Sequence, residues 1–197
     1  MSNDYRELLI GCGHSQEKRM HIQGVTGFEK FVNLTTLDVN KECDPDIWCN
    51  LDYQYTERHR SIMPHPSAEA HSLLTAFPYD NTFDEIHAYE VLEHCGRQGD
   101  FAKFFWLFGQ LWRILKPNGY LCATVPHWQS LWAWGDPGHT RVINEGTIIF
   151  LNRAEYDKQL GKTAMSDYRK ELGDTNFNIV DARTTGQTFA FILRAIK

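Results

Sequence analysis

The chain has 197 residues, 42% hydrophobic and 23% charged, a balance that excludes disordered and fibrous classes and fits one globular domain over 1–197. Twenty lysines and arginines against 25 acidic residues give a formal charge of -5, and no long basic stretch is present to track phosphates, which disfavours nucleic acid as a partner. The five cysteines, at 12, 43, 49, 95 and 122, form no CxxC pair, and no apolar run approaches the roughly 18 residues of a membrane span; the expectation is a cytoplasmic protein with reduced thiols, no export signal and no membrane anchor.

Leu8, Leu9 and Ile10 form a short apolar run that stops at Gly11-Cys12-Gly13-His14-Ser15, which reads as a buried strand, a glycine turn and a helix opened by Ser15. Leu34 to Leu37 reads as a second strand with Asp38 at its carboxyl tip, and Asp46 to Cys49 as a third, ending at Asn50-Leu51. From about 52 to 76 the chain turns polar, with Pro64, Pro66 and histidines at 59, 65 and 71; it reads as a long loop insertion with one short helix from Ser67 to Leu74. Phe83 to Tyr89 resumes a strand, followed by Val91-Leu92-Glu93-His94.

Apolar side chains at Phe101, Phe104, Phe105, Phe108, Leu111, Trp112 and Leu115 recur every three or four residues, which predicts an amphipathic helix with Asp100 as N-cap and Pro117-Asn118-Gly119 as its stop. Tyr120 to Val125 is a further strand ended by Pro126. A Trp-rich segment, about 127–172, begins with Trp128, Trp132 and Trp134 and has helical patterning around Ile148 to Leu160. Phe177 to Arg183 and Thr188 to Ile196 are close enough to pair as a hairpin. Strand alternating with helix argues for an α/β fold, a mainly parallel sheet closed by a C-terminal antiparallel hairpin.

In such a sheet ligands bind beyond the carboxyl ends of the strands. Gly11 and Gly13 allow close backbone approach, Asp38 is placed to accept from two vicinal ribose hydroxyls, and Asn50 with Leu51 can read an adenine edge and cover its face. Together they describe a nucleoside pocket, although a GxG after a strand reads equally well as a simple turn. Gln16 stands where a dinucleotide fingerprint has its third glycine, which disfavours NAD and an oxidoreductase.

Leu8-Leu9-Ile10-Gly11-Cys12-Gly13, Thr36-Leu37-Asp38-Val39, Phe77-Pro78-Tyr79-Asp80-Asn81-Thr82-Phe83-Asp84-Glu85-Ile86, Val91-Leu92-Glu93-His94 and Leu111-Trp112-Arg113-Ile114-Leu115-Lys116-Pro117-Asn118-Gly119 follow one another in this order. The arrangement, from about Glu7 to Val125, resembles class I S-adenosylmethionine-dependent methyltransferases. The resemblance implies a Rossmann-like, doubly wound, seven-stranded sheet and S-adenosyl-L-methionine as cofactor. It also implies that Gly11, Cys12, Gly13 and His14 lie against the cofactor's amino acid part and ribose, that Asp38 holds the ribose hydroxyls, and that Val39 and Asn50 meet the adenine. Tyr89 and Glu90 would flank the methionine moiety. Asn118 replaces the usual first glycine of the turn and Asn50 a more usual Asp.

Methyl transfer is an in-line displacement in which the protein mainly aligns the reactants and excludes water. A hydroxyl or amine acceptor is helped by a general base, and His94, His127 and His139 are the candidates, with a scaffold role as the alternative for His94. Asp136, His139 and Arg141 can bind a polar acceptor or form a capped turn, and Trp128, Trp132 and Trp134 can wall the site or cover a sheet edge. The histidines at 59, 65 and 71 lack metal-ligand spacing, so no metal is expected. The reading is transfer to an O or N atom of a small-molecule or carbohydrate-like acceptor; the alternative is an inactive nucleoside-binding or partner-binding module. The acceptor pocket is expected from 52–76, from 127–172, or from a second subunit of a homodimer.

Overall fold

The computed structural model describes residues 4–22, 24–52, 76–77 and 79–197. Apart from Asp52 and Ala76, the expected insertion at 52–76, with its short helix and its three histidines, lies outside them. Seven strands form one sheet: β1 (Glu7–Ile10), β2 (Leu34–Asp38), β3 (Ile47–Trp48), β4 (Phe83–Tyr89), β5 (Leu115–Pro126), β6 (Phe177–Thr185) and β7 (Thr188–Ala195). Their order is β3-β2-β1-β4-β5-β7-β6. The first five run parallel, and β7 pairs antiparallel with both β5 and β6. The order reverses between β1 and β4, so their carboxyl ends form the switch point.

One face of the sheet is packed as the helical period requires. Helix α1 (Phe101–Ile114) buries Phe104, Phe105, Leu107, Phe108, Leu111 and Ile114 against a core that includes Leu8, Ile10, Ile86, Ala88, Leu121, Phe189 and Phe191. Each such side chain contributes about 1.5–3 kcal/mol when fully buried. Asp100 caps the helix by accepting from Lys103 N–H at 3.0 Å. The helix gives way directly to β5 at Leu115, earlier than the stop expected at Pro117-Asn118-Gly119, and Asn118 takes a left-handed turn (φ 65) within β5; Asn tolerates that conformation. Beyond β5 come α2 (Leu131–Gly135), α3 (Glu145–Ile148), α4 (Arg153–Gln159) and α5 (Arg169–Leu172). The helical pattern expected over 148–160 is thus interrupted at Asn152, whose side chain accepts from Ala154 N–H at 2.8 Å and caps α4.

The opposite face departs from expectation. No helix opened by Ser15 forms among the described residues between β1 and β2. Gly24 and Gly27 punctuate the stretch, and Gly27 leaves no room for a Cβ against the Tyr5 ring. The segment is pinned instead by buried charge. Lys18 Nζ lies 2.5 Å from Glu7 Oε1 and 2.6 Å from Glu85 Oε2, with all three side chains at most 1% exposed. His87 Nε2 donates to Glu85 Oε2 at 2.9 Å, and its Nδ1 lies 2.6 Å from the Tyr89 hydroxyl, which in turn accepts from the backbone of Arg19 and Met20 at 3.2 Å each. Tyr5 donates to Glu85 Oε1 at 2.6 Å, and Gly27 N–H points at the same oxygen. Beside this network Leu9, Cys12, Met20, Tyr89, Cys122 and Ile192 form a second small core.

Candidate functional site at the carboxyl edge of the sheet

The turn after β1 and the tip of β2 are fixed to each other. Gly11 and Gly13 both have positive φ, 64 and 51. Gly13 N–H donates to Asp38 Oδ2 at 2.9 Å, while Asp38 Oδ1 accepts from Asn40 N–H at 2.8 Å. Among the described residues each carboxylate oxygen therefore keeps a free lone pair. A Cβ on Gly11 would stand 2.7 Å from Val91 Cγ2, whereas one on Gly13 meets nothing within 4 Å. The first glycine is required by packing, and the second opens onto free space.

These residues border a cavity of about 240 Å³, lined by Gly11, Leu37, Asp38, Val39, Cys49, Asn50, Leu51, Asp52, Val91, His94 and Cys95. Its walls are apolar, with the Asp38 carboxylate and the Asn50 amide as the polar exceptions nearest β2 and β3. Burial pushes the Cys49 and Cys95 thiols up to about 12, so neither is a thiolate nucleophile at neutral pH. Cys12, which burial and the Asp38 charge push up to about 11, belongs to the core on the other face.

The 3-10 turn Leu92–His94 forms the next part of the rim. His94 is exposed, and its Nδ1 lies 2.9 Å from the Gly138 carbonyl. The rings of His94 and His139 stand edge to face, 4.6 Å apart. Beneath them Glu93 is 2% exposed, and burial, with Glu90 and Asp136 adding like charge, pushes its carboxyl up to about 8.

The arrangement has counterparts among solved structures. A methyltransferase dependent on S-adenosylmethionine from Archaeoglobus fulgidus aligns over 98% of this chain and 86% of its own, at 16% identity and a TM-score of 0.51. One from Methanosarcina mazei aligns over 100% and 94%, at 15% identity and a TM-score of 0.50. A variant of the 16S rRNA (adenine(1408)-N(1))-methyltransferase from Catenulisporales acidiphilia aligns over 98% and 86%, at 10% identity and a TM-score of 0.52. The chain has the methyltransferase fold. No protein-family model matches the sequence, and no curated protein matches it significantly.

On this methyltransferase fold the cavity unites Gly11, Asp38, Val39, Asn50, Leu51 and His94. Other residues named from the sequence stand elsewhere. Tyr89 points to the opposite face, where its hydroxyl belongs to the network around His87. His14 is exposed, and Glu90 is exposed on a left-handed turn (φ 55). His127 lies outside the cavity lining, its ring 5.7 Å from that of Trp128. Arg141 is 8% exposed and spends its guanidinium on the carbonyls of Cys95, Arg97 and Asp100, so its donors hold the loop after the His94 turn. Trp128, Trp132 and Trp134 are exposed, and Trp134 Nε1 donates to the Trp128 carbonyl at 2.7 Å. Sequence reasoning missed Val91, Cys49, Cys95 and Asp52 as cavity walls, and passed over Glu93. The signal for Glu93 was a carboxylate directly before His94, which only the fold brings to His139.

Proposed function

We propose that this chain is an S-adenosylmethionine-dependent methyltransferase that moves a methyl group to an O or N atom of a small polar acceptor. The observation that carries the reading is the cavity between the Gly11–Gly13 turn and Asp38 at the switch point of a methyltransferase fold. Its residues fit an adenosyl group: Asp38 retains two lone pairs for vicinal hydroxyls, Asn50 offers an amide for the base, and Leu37, Val39, Leu51 and Val91 cover apolar faces. When bound, the cofactor supplies an electrophilic methyl on a sulfonium.

The chain's own task is then positioning and desolvation. The sheet edge holds the nucleoside, and the open space beside Gly13 leaves room for its tail. The acceptor side is supplied by His94, His139 and the exposed tryptophans of 128–134. A net charge of -5 favours a small neutral or cationic acceptor over a polyphosphate chain.

Isothermal titration with S-adenosylmethionine, S-adenosylhomocysteine and NAD tests the reading. Micromolar binding of both sulfur nucleosides and none of NAD is expected, followed by label transfer from a methyl-labelled donor to hydroxyl or amine acceptors. Binding of NAD alone, or of none of the three, overturns it.

A further inference from the structure

The groups around Glu93 form a constellation that nucleoside binding does not use. One ligand atom from each of Glu93, His94 and His139 lies within 4.8 Å of the others. His139 Nε2 is 3.9 Å from Glu93 Oε1 and 3.8 Å from Asp136 Oδ2. Both oxygens of Glu93 are buried without a hydrogen-bond partner among the described residues. An unpaired buried carboxylate is costly, and the Arg141 guanidinium does not relieve it, being committed to the carbonyls of Cys95, Arg97 and Asp100.

The two imidazoles are prepared in the same way. Nδ1 of His94 lies 2.9 Å from the Gly138 carbonyl, and Nδ1 of His139 lies 2.8 Å from the Trp132 carbonyl. A carbonyl only accepts, so in its neutral form each ring carries the proton on Nδ1 and offers the Nε2 lone pair. This is how metal-binding histidines are oriented by a backbone partner on the second nitrogen. Two Nε2 lone pairs and a carboxylate together suit a cation.

We propose that Glu93, His94 and His139 bind a divalent transition-metal ion, with Asp136 as a further ligand. Imidazole and carboxylate without thiolate suit a borderline ion such as Zn²⁺, Co²⁺, Mn²⁺ or Fe²⁺ over Mg²⁺ or Ca²⁺, which take oxygen ligands. Ligands at about 2.1 Å from such an ion stand about 3.4 Å apart in a tetrahedral site, so the cluster closes by about 0.5 Å between His139 and Glu93 and by up to about 1.4 Å elsewhere. Glu90, on the neighbouring turn, adds negative charge. His94 also lines the nucleoside cavity, which sets the ion at the rim of that cavity. The proposal does not depend on methyl transfer, because ion binding is measured without cofactor.

The test is titration of metal-stripped protein with Co²⁺, followed by its visible absorption bands and by the melting temperature. One equivalent of Co²⁺ is expected to give bands, raise the melting temperature, be displaced by Zn²⁺ and resist millimolar Mg²⁺. His139→Asn and Glu93→Gln are each expected to weaken Co²⁺ binding at least about tenfold while S-adenosylmethionine affinity is unchanged in His139→Asn. Asp136, whose side chain is 43% exposed, gives a variant, Asp136→Asn, that tests the cluster if a Glu93 variant does not fold. No bands and no thermal shift in the wild-type protein, bands unaltered in His139→Asn, or equal displacement by Mg²⁺ would overturn the assignment.

Discussion

The backbone N–H of Gly13 donates to Asp38 Oδ2 at 2.9 Å, so the turn that ends β1 and the acidic tip of β2 are one unit. Asp38→Ala removes the acceptor for Gly13 and for Asn40 together with the proposed ribose ligand. Hydrogen bonds to a charged group are each worth about 1.5–3 kcal/mol, so affinity for S-adenosylmethionine is expected to fall by about 10–100-fold or more, read by titration calorimetry. Unchanged affinity would remove Asp38 from the pocket.

Gly11 has φ 64 and its missing Cβ would meet Val91 Cγ2 at 2.7 Å. Gly11→Ala therefore combines backbone strain with overpacking, and a loss of about 1–3 kcal/mol in urea denaturation is expected. Adding Val91→Ala relieves the contact but not the φ. The double variant should recover part of the loss and never all of it; full recovery would show that sterics alone fix the glycine.

The Lys18 ammonium stands between two buried carboxylates, Glu7 and Glu85. Removing one partner of a buried ion pair typically costs about 3–5 kcal/mol, because the other charge stays behind. Lys18→Met is expected to lose that amount or to prevent folding, and Glu7→Gln added to it should restore part of the stability. A near-neutral Lys18→Met would mean that the carboxylates take water instead.

Burial lowers the pKa of His87 below the ordinary imidazole value, outweighing the opposing pull of Glu85. The folded protein keeps this ring neutral while the unfolded chain takes up a proton near pH 6.5. Stability from this group is thus present above that pH and lost as pH falls through it. The groups facing it are Glu7, Glu85, Lys18 and Tyr89, so the comparison must isolate the ring. Between pH 7 and pH 5 the unfolding free energy of the wild-type protein should fall relative to His87→Gln by up to about 2 kcal/mol. Parallel profiles would show that the ring takes up its proton equally in the folded and unfolded states.

What the sequence revealed was set by local pattern. The period of α1 identifies it because burial on one face leaves an unambiguous spacing, and short apolar or β-branched runs bounded by turn residues mark β1 and β2. Gly11, Asp38 and Asn50 were legible as cavity residues because each stands at or just beyond the carboxyl end of a strand. The missing helix after Gly13 was not, since its replacement depends on Lys18 reaching carboxylates 11 and 67 residues away in the chain. Tyr89 illustrates the same limit. The resemblance expects it after the fourth strand, but it is the last residue of β4, and strand alternation turns its side chain to the face of Glu85 and His87. The approach of Glu93 to His139 is likewise a product of tertiary folding.

Three of the six tryptophans, Trp128, Trp132 and Trp134, lie on one short exposed stretch. Indoles in water emit at longer wavelength than buried ones, so the protein carries its own optical reporter just beyond the carboxyl end of β5. Whatever settles over that stretch will shift the emission to the blue without any attached dye.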